Sequence, residues 1–213
     1  MVVYSGSDYR YYFGRFFMAK VFKSINDPAL ITLLTNGAVG VIPTDTVYGL
    51  VAVAVNPAAV DRLYSIKHRE MKPGTVIAAN VQQLADLGIH PKYLDRVKHL
   101  WPGPVSIETP HRIRYLHQGT GRQAFRIPSD EAVHELLLKT GPLQTTSANL
   151  PGGVPAADYT EAIAYFDDLV DFYVDGADLS DRPPSTIIRF TDAGELEVIR
   201  EGAVSITKST RLA

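Results

Sequence analysis

Residues 38–55 of the chain read AVGVIPTDTVYGLVAVAV. Two short apolar runs rich in β-branched residues, 38–42 and 50–55, predict two buried strands. The polar turn between them, PTDT at 43–46, places small hydroxyl groups where a strand ends, and open α/β sheets present donors to ligands at such points. A turn built from Thr and Asp is also an ordinary connection, so this stretch by itself indicates a sheet edge and leaves the question of a site open.

Outward from this stretch, helix signals alternate with strand signals. Asn26-Asp27-Pro28 and Asn56-Pro57 each place a capping residue before a proline at the first helical position, and Ser129-Asp130 caps another helix. Two pairs of successive strands, near 105/125 and 187/198, have no helix between them, so we expect one mixed α/β sheet with helices on both faces. The predicted helices cover about 28–36, 57–67, 81–87, 91–100, 131–139 and 158–166, and the remaining predicted strands cover 75–79, 105–109, 124–127, 143–146, 170–174, 185–190 and 196–200.

Length and composition exclude several classes of protein. The chain has 213 residues, a formal net charge of −2 and no cysteine. The length suits one domain, here 19–213, and the missing thiols exclude a disulfide scaffold, a cysteine nucleophile and cysteine-based metal sites. No apolar run is long enough to span a membrane. We therefore expect a cytoplasmic protein, and the net charge argues against a generally basic nucleic-acid binder.

Residues 1–18 differ in composition from the rest of the chain. The first seventeen, MVVYSGSDYRYYFGRFF, are dense in aromatic residues and show no clean helix or strand period. Met18-Ala19-Lys20 resembles a natural start, so we expect 1–18 to be an N-terminal extension. The alternative is an ordered arm whose aromatic side chains pack on the domain or on a partner.

A basic block occupies the middle of the chain. No acidic residue lies between Glu108 and Asp130. Such a block indicates an anion site for a phosphate, a carboxylate or an RNA backbone, although a solvated loop with scattered arginines is the plainer alternative. The six histidines show no metal-ligand spacing, so no protein-bound metal is predicted. The basic residues of the block are Arg112, Arg114, Arg122 and Arg126, with His111 and His117.

Two further segments carry polar groups suited to phosphate. Lys67 and Arg69 are two residues apart, so they converge on one anion only if the helix ends there, which Pro73-Gly74 favours. Capping of the helix C-terminus by cations is the alternative, and it would contribute only about 0.3–1 kcal/mol. The second segment, TTSAN at 145–149, ends a strand and leads into a Pro-Gly-Gly turn whose backbone could cradle phosphate oxygens.

These segments together resemble the YrdC-like family. The chain contains, in the family's order, PTDTVYGL at 43–50, K-x-R at 67–69, WPGP at 101–104, FRIP at 125–128, TSAN at 146–149 and PSTII at 184–188. The resemblance covers about 25–202. It implies a single-domain twisted mixed sheet with a large concave basic cavity, as in the family's single-domain branch.

The resemblance also implies a reaction. L-threonylcarbamoyladenylate synthases of this family convert L-threonine, bicarbonate and ATP, with Mg²⁺ accompanying ATP, into threonylcarbamoyl-AMP and pyrophosphate. The product serves the threonylcarbamoyladenosine modification of tRNA, and separate transferase proteins carry out the transfer. A monomer or a homodimer would suit this role.

The family's motifs assign roles to residues of this chain. Each assignment is an expectation that the resemblance supplies. The predicted catalytic residues are Lys67 and Arg69; the predicted ATP-binding residues are Lys67, Arg69, Ser147, Asn149 and Arg200; and the predicted threonine-binding residues are Thr44, Arg126 and Ser185.

Departures from the family pattern keep two alternatives open. Glu70 stands where the family commonly has proline, and the strand at 105–109, VSIET, is more polar than the usual LTFVL. Both features favour a divergent paralogue that acts on another carbamoyl or acyl substrate. The second alternative is a double-stranded RNA-binding protein without this activity, for which arginines 112, 114, 122 and 126 would supply the phosphate contacts.

Overall fold

A computed structural model describes residues 19–68, 71–191 and 193–206. This part of the chain forms ten strands and six α-helices. The strands are β1 (Lys20–Phe22), β2 (Gly40–Ile42), β3 (Gly49–Val53), β4 (Thr75–Ile77), β5 (Val105–Pro110), β6 (Arg122–Arg126), β7 (Leu143–Ser147), β8 (Phe172–Val174), β9 (Thr186–Phe190) and β10 (Leu196–Arg200). The helices are α1 (Pro28–Thr35), α2 (Pro57–Ile66), α3 (Val81–Asp86), α4 (Pro91–Val97), α5 (Glu131–Thr140) and α6 (Tyr159–Phe166).

All ten strands belong to one mixed sheet. Their order across it is β1-β8-β2-β3-β7-β4-β6-β5-β9-β10. The successive pairs β2/β3, β5/β6 and β9/β10 are antiparallel, whereas β2/β8, β4/β6 and β5/β9 are parallel. The prediction of a mixed sheet is therefore confirmed, and the strand pairs that lack an intervening helix are antiparallel hairpins.

Side chains that alternate along the strands contribute to a hydrophobic core on each face of the sheet. Val41 packs into one core and Ile42 into the other, and Val76 and Ile77 divide in the same way. This alternation follows from the two-residue period of a strand. Helices α1 and α5 cover one face, while α2, α3, α4 and α6 cover the other, so the predicted helices on both faces are confirmed.

The face under α1 and α5 is only partly covered. Its core takes residues from β2, β3, β4, β7 and β8, and among the described residues it takes none from β5, β6, β9 or β10. On that half of the face the strands present polar side chains. Arg126 lies there because its neighbour Phe125 belongs to the opposite core. Arg189 lies there for the same reason, because Ile188 belongs to the opposite core, and the apolar Ile187 shares its side of the sheet. This uncovered half is where the fold can receive a ligand.

Sequence prediction placed most elements correctly but missed β1. That strand has only three residues at the edge of the sheet, two of them exposed, and it pairs in parallel with the distant β8. Because two of its three side chains are exposed, its sequence shows little of the apolar–polar alternation that predicts a strand. The helix predicted over 91–100 ends at Val97 and continues only as a 3₁₀ turn. The predicted extension at 1–18 lies outside the described residues.

Candidate active site

A cleft of about 790 Å³ opens between the C-terminus of α2 and the loop after β7. Helix α2 ends at Ile66, with Lys67 as its C-cap, and His68 adopts a left-handed backbone with φ of 46°. The early helix end that convergence of the K-x-R cations requires is thus present. Arg69 itself, and Glu70 beside it, lie outside the described residues. The residues lining the cleft are Tyr64, Ser65, Lys67, His68, Lys72, Gln118, Ser147, Asn149, Pro151 and Gly152.

Lys67 is a buried cation that joins α2 to the loop after β7. Its side chain is only 3% exposed. Nζ donates to the carbonyl oxygen of Ser147 at 2.7 Å, to Oδ1 of Asn149 at 2.6 Å and to the carbonyl oxygen of Asn149. Lys67 is the C-cap residue of α2, and these contacts also hold its ammonium group against the loop after β7.

Asn149 organises that loop. Its Oδ1 accepts from Lys67 and, at 2.6 Å, from the hydroxyl of Ser147, while Nδ2 donates to the carbonyl oxygens of Leu150 and Gly153 at 2.9 and 2.7 Å. Three predicted ATP-binding residues, Lys67, Ser147 and Asn149, are therefore brought together in one network. The Asn149 amide is engaged on both sides, so it helps to set the shape of the loop after β7.

A second, smaller cavity of about 80 Å³ adjoins this cleft, where the turn after β2 and residues of β4 and β7 meet the uncovered half of the sheet. Ser147 lines both. The three predicted threonine-binding residues, Thr44, Arg126 and Ser185, all line the small cavity. Arg200, which the sequence assigned to ATP, lies here with them and does not line the larger cleft among the described residues.

A β-bulge brings Arg200 to this cavity. Val198 pairs with Ile188, but the next pairing along β10 joins Arg200 to Ile187, so Ile199 is passed over. Paired residues share a face, and Ile187 lines the cavity, so the extra residue turns Arg200 onto the cavity side. Arg200 then donates from Nη2 to the carbonyl oxygen of Ser185 at 2.6 Å.

Hydroxyl groups complete the wall of the small cavity. The Ser185 hydroxyl lies 3.0 Å from that of Ser106 on β5 and 3.2 Å from Nη2 of Arg200. On the opposite wall the Thr44 hydroxyl donates to the carbonyl oxygen of Val47 at 2.7 Å. That bond uses its proton, and its oxygen already accepts from the backbone N–H of Thr46 at 3.2 Å, so Thr44 can offer a ligand at most one lone pair or its methyl group in this arrangement.

Comparisons with known proteins show the family of this chain. The family model of Sua5, YciO and YrdC, described as telomere recombination, matches residues 32–202. The chain belongs to the Sua5/YciO/YrdC family. The threonylcarbamoyl-AMP synthase of Pseudomonas aeruginosa strain UCBPP-PA14 is 38% identical over 162 residues, which cover 73% of this chain and 87% of that protein.

The fold of this chain is similar to the solved structures of two proteins, a Sua5 and a YciO. Pyrococcus abyssi Sua5 in complex with L-threonine superposes with a TM-score of 0.74 at 26% identity, covering 82% of this chain and 53% of the Sua5 chain. This chain thus spans about half of that protein. Escherichia coli YciO superposes with a TM-score of 0.77 at 24% identity over 90% of this chain and 99% of its own, which supports the fold.

Sequence reasoning missed Asp45, the acidic residue of the PTDT motif. Its carboxylate is 5% exposed, and Oδ1 forms an ion pair with Nη1 of Arg126, whose side chain is 4% exposed. Oδ2 accepts from the backbone N–H of Ser129 at 3.0 Å. The sequence shows that the basic block has no acid of its own, but the burial of Arg126, which requires one, appears only in the structure.

The basic block does not form one surface. Arg126 is buried against Asp45, and Arg122 approaches Glu108 at 3.4 Å, whereas Arg112 and Arg114 are exposed. Burial and the nearby His117 lower the pKa of His111 to about 4, so His111 carries no charge at neutral pH. Arg126 therefore does not share an exposed surface with arginines 112, 114 and 122, and RNA binding by the other three stays a prediction.

The polar strand at 105–109 has structural partners. Ser106 contacts Ser185, and Glu108 lies between Arg122 on β6 and Arg189 on β9, at 3.4 and 3.6 Å. Arg189 in turn pairs with Glu197 on β10 at 2.8 Å. These contacts explain Glu108 as one member of a charge network across four strands, without invoking a different substrate.

The described residues form neither a metal-binding cluster nor a membrane-spanning helix. Within 19–68, 71–191 and 193–206, no group of three or more His, Asp or Glu side chains is placed to hold a metal ion. In the same ranges, no helix is both long and apolar enough to cross a membrane.

Proposed function

We propose that this chain is a threonylcarbamoyl-AMP synthase that converts L-threonine, bicarbonate and ATP into threonylcarbamoyl-AMP and pyrophosphate. The observation that carries the proposal is the pairing of two cavities through Ser147. The larger cleft has the size and the polar lining of a nucleotide site, and the smaller cavity presents arginines and hydroxyl groups suited to an amino acid. The name of the Pseudomonas relative supports the same reaction.

The chemistry requires two anions to meet. The amine nitrogen of threonine bonds to the carbon of bicarbonate, and water leaves to give a carbamate. A carbamate oxygen then attacks the α-phosphorus of ATP, and the bond to the bridging oxygen breaks to release pyrophosphate. Holding these groups together needs positive charge and aligned donors more than a nucleophilic side chain, and no covalent enzyme intermediate is involved.

In this proposal the larger cleft binds ATP and the smaller cavity binds threonine. In this proposal Lys67 and Arg69 neutralise the triphosphate, and Ser147 and Asn149 shape its cradle. Arg126 receives the carboxylate of threonine, while Thr44 and Ser185 line its pocket. Arg200 is assigned to the junction, because it lines the small cavity that Ser147 shares with the cleft.

Mg²⁺ enters this proposal as part of the ATP substrate. None of the described residues that line the larger cleft is a carboxylate, and Asn149 Oδ1 already accepts two hydrogen bonds. The lining therefore fits a metal held chiefly by phosphate oxygens and water, as Mg²⁺ prefers. When bound, Mg²⁺ would neutralise phosphate charge.

The proposal extends to location and partners. A tRNA-modification precursor is consumed where tRNA is modified, so we place the protein in the cytoplasm together with the transferase proteins that use its product.

The test is pyrophosphate release by the purified protein with ATP, Mg²⁺, L-threonine and bicarbonate. We expect release that requires both threonine and bicarbonate and that falls at least tenfold in Ser147→Ala. Ser65→Ala is the matched control, since Ser65 lines the same cleft but bonds only back to its own helix in the described contacts. ATP binding without release would contradict the proposal and favour a paralogue with another substrate.

A further inference from the structure

Asp45 forms an ion pair with one side of the guanidinium group of Arg126. The ion pair engages Nη1, and Nη2 has only a long contact of 3.4 Å to the hydroxyl of Thr46. Nε is buried and has no hydrogen-bond partner in the described part of the chain. A guanidinium group can donate in parallel from Nε and Nη2 to one carboxylate. Asp45 therefore leaves without a close hydrogen-bond partner the side of Arg126 that can bind a carboxylate bidentately, at the wall of the small cavity.

The second oxygen of Asp45 fixes its own position. Oδ2 accepts from the backbone N–H and the hydroxyl of Ser129, at 3.0 and 3.3 Å, just before α5. Asp45 thus ties the turn after β2 to the start of α5, with Arg126 at the end of β6 between them. A carboxylate with both oxygens engaged in a buried place has little freedom to rotate, and the arginine that it holds is equally restricted.

We propose that Asp45 is a positioning residue that sets the orientation of Arg126 for the carboxylate of the amino-acid substrate. This inference rests on the proposed function for the identity of that substrate. Asp45 acts through Arg126, and it also balances the charge of the buried guanidinium group while no substrate is bound. Loss of Asp45 should therefore weaken threonine binding and leave the nucleotide cleft intact.

The test is a double-mutant cycle on Asp45→Asn and Arg126→Gln, with KM for L-threonine and for ATP measured separately. We expect Asp45→Asn to raise the KM for threonine at least tenfold and to change the KM for ATP less than twofold. In the Arg126→Gln background the same change should alter the threonine KM less than twofold, because Asp45 then has no arginine to orient. Ser129→Ala, which keeps the ion pair, is the matched control and should stay within about threefold of the parent protein.

Several outcomes would overturn the inference. An unchanged threonine KM in Asp45→Asn, an equal rise in both KM values, or a full effect that persists without Arg126 would each show that Asp45 does not act by orienting Arg126. Should Asp45→Asn fail to fold, Asp45→Glu replaces it, since it keeps the charge while moving the carboxylate by one methylene group; the same split between the two KM values is expected.

A spectroscopic measurement separates this inference from the proposed function. The NMR signal of the Arg126 Nε–H group, assigned by its loss in Arg126→Gln, should be sharp in the parent protein and broadened in Asp45→Asn. This comparison holds even if the parent protein releases no pyrophosphate, an outcome that would contradict the proposed function alone. An identical signal in both proteins would refute the positioning role.

Discussion

Lys67 shows how the environment of one residue changes the expected effect of its removal. A solvent-exposed cation at a helix end would contribute only about 0.3–1 kcal/mol to stability. The structure instead buries Lys67 against the carbonyl oxygens of Ser147 and Asn149 and the Asn149 amide. Its loss would leave buried acceptors without this donor, although Asn149 Oδ1 would keep the Ser147 hydroxyl, and we expect a total free-energy cost of about 1–3 kcal/mol.

We therefore expect Lys67→Ala to abolish pyrophosphate release and also to lower the free energy of unfolding by about 1–3 kcal/mol. Urea unfolding and the pyrophosphate assay measure the two effects separately. Lys72→Ala is the control for stability, because Lys72 is an exposed residue of the same cleft and should change unfolding by less than about 0.5 kcal/mol. Full stability in Lys67→Ala would contradict the structural part of this prediction.

His111 should make stability depend on pH. Burial lowers its pKa to about 4, and a histidine in an unfolded chain titrates near 6.5. The unfolded state therefore binds more protons between these values, so the contribution of His111 to stability is lost as pH falls from about 6.5 to 4 and is constant above that range.

We expect the free energy of unfolding to fall more between pH 7 and pH 4.5 in the parent protein than in His111→Phe, by about 1–3 kcal/mol. Phenylalanine keeps a ring against Phe125, whose centroid lies 5.1 Å from that of His111. His99→Gln, at an exposed histidine, should behave like the parent protein. Equal pH dependence in the parent and His111→Phe would show that His111 does not titrate in this way.

At the scale of the secondary-structure element, β5 tests whether its polar sequence changes the substrate. Glu108→Val restores the residue that the family pattern LTFVL has at this position. Glu108 is partly exposed and contacts Arg122 and Arg189 at 3.4 and 3.6 Å, so its removal should change stability by no more than about 1 kcal/mol. We expect threonine-dependent pyrophosphate release to stay within twofold. A change in amino-acid preference would instead make β5 an element of specificity and favour the divergent paralogue.

At the scale of the whole molecule, the charge distribution argues against tight RNA binding. The net charge is −2, Arg126 is buried against Asp45, and Arg122 is near Glu108. We expect labelled double-stranded RNA to bind no more tightly than non-specific complexes, with a Kd of about 10⁻⁶–10⁻⁴ M at physiological salt. Fluorescence anisotropy at two salt concentrations measures this. Nanomolar binding with a steep loss on added salt would revive the RNA-binding alternative.

The site residues show how far sequence reasoning reaches. The structure brings together residues that the motifs had assigned to one ligand: Lys67 with Ser147 and Asn149, and Thr44 with Arg126 and Ser185. Asp45 was missed because its partner is 81 residues away, and no local pattern reports such a pairing. The position of Arg200 depends on a bulge at Ile199, which shifts the pairing register by one residue. A change of one residue reverses the face, and the sequence of β10 does not show it.

The amino-acid sequence by itself determined the helices and most strands of this protein, the mixed character of its sheet and its family, because capping residues, alternation and ordered motifs are local signals. Only the tertiary structure decided which groups share a cavity, that the basic block is divided between buried pairs and exposed side chains, and that Lys67 is buried. Those properties arise from strand order and from contacts between residues far apart in the chain, which depend on the assembled sheet.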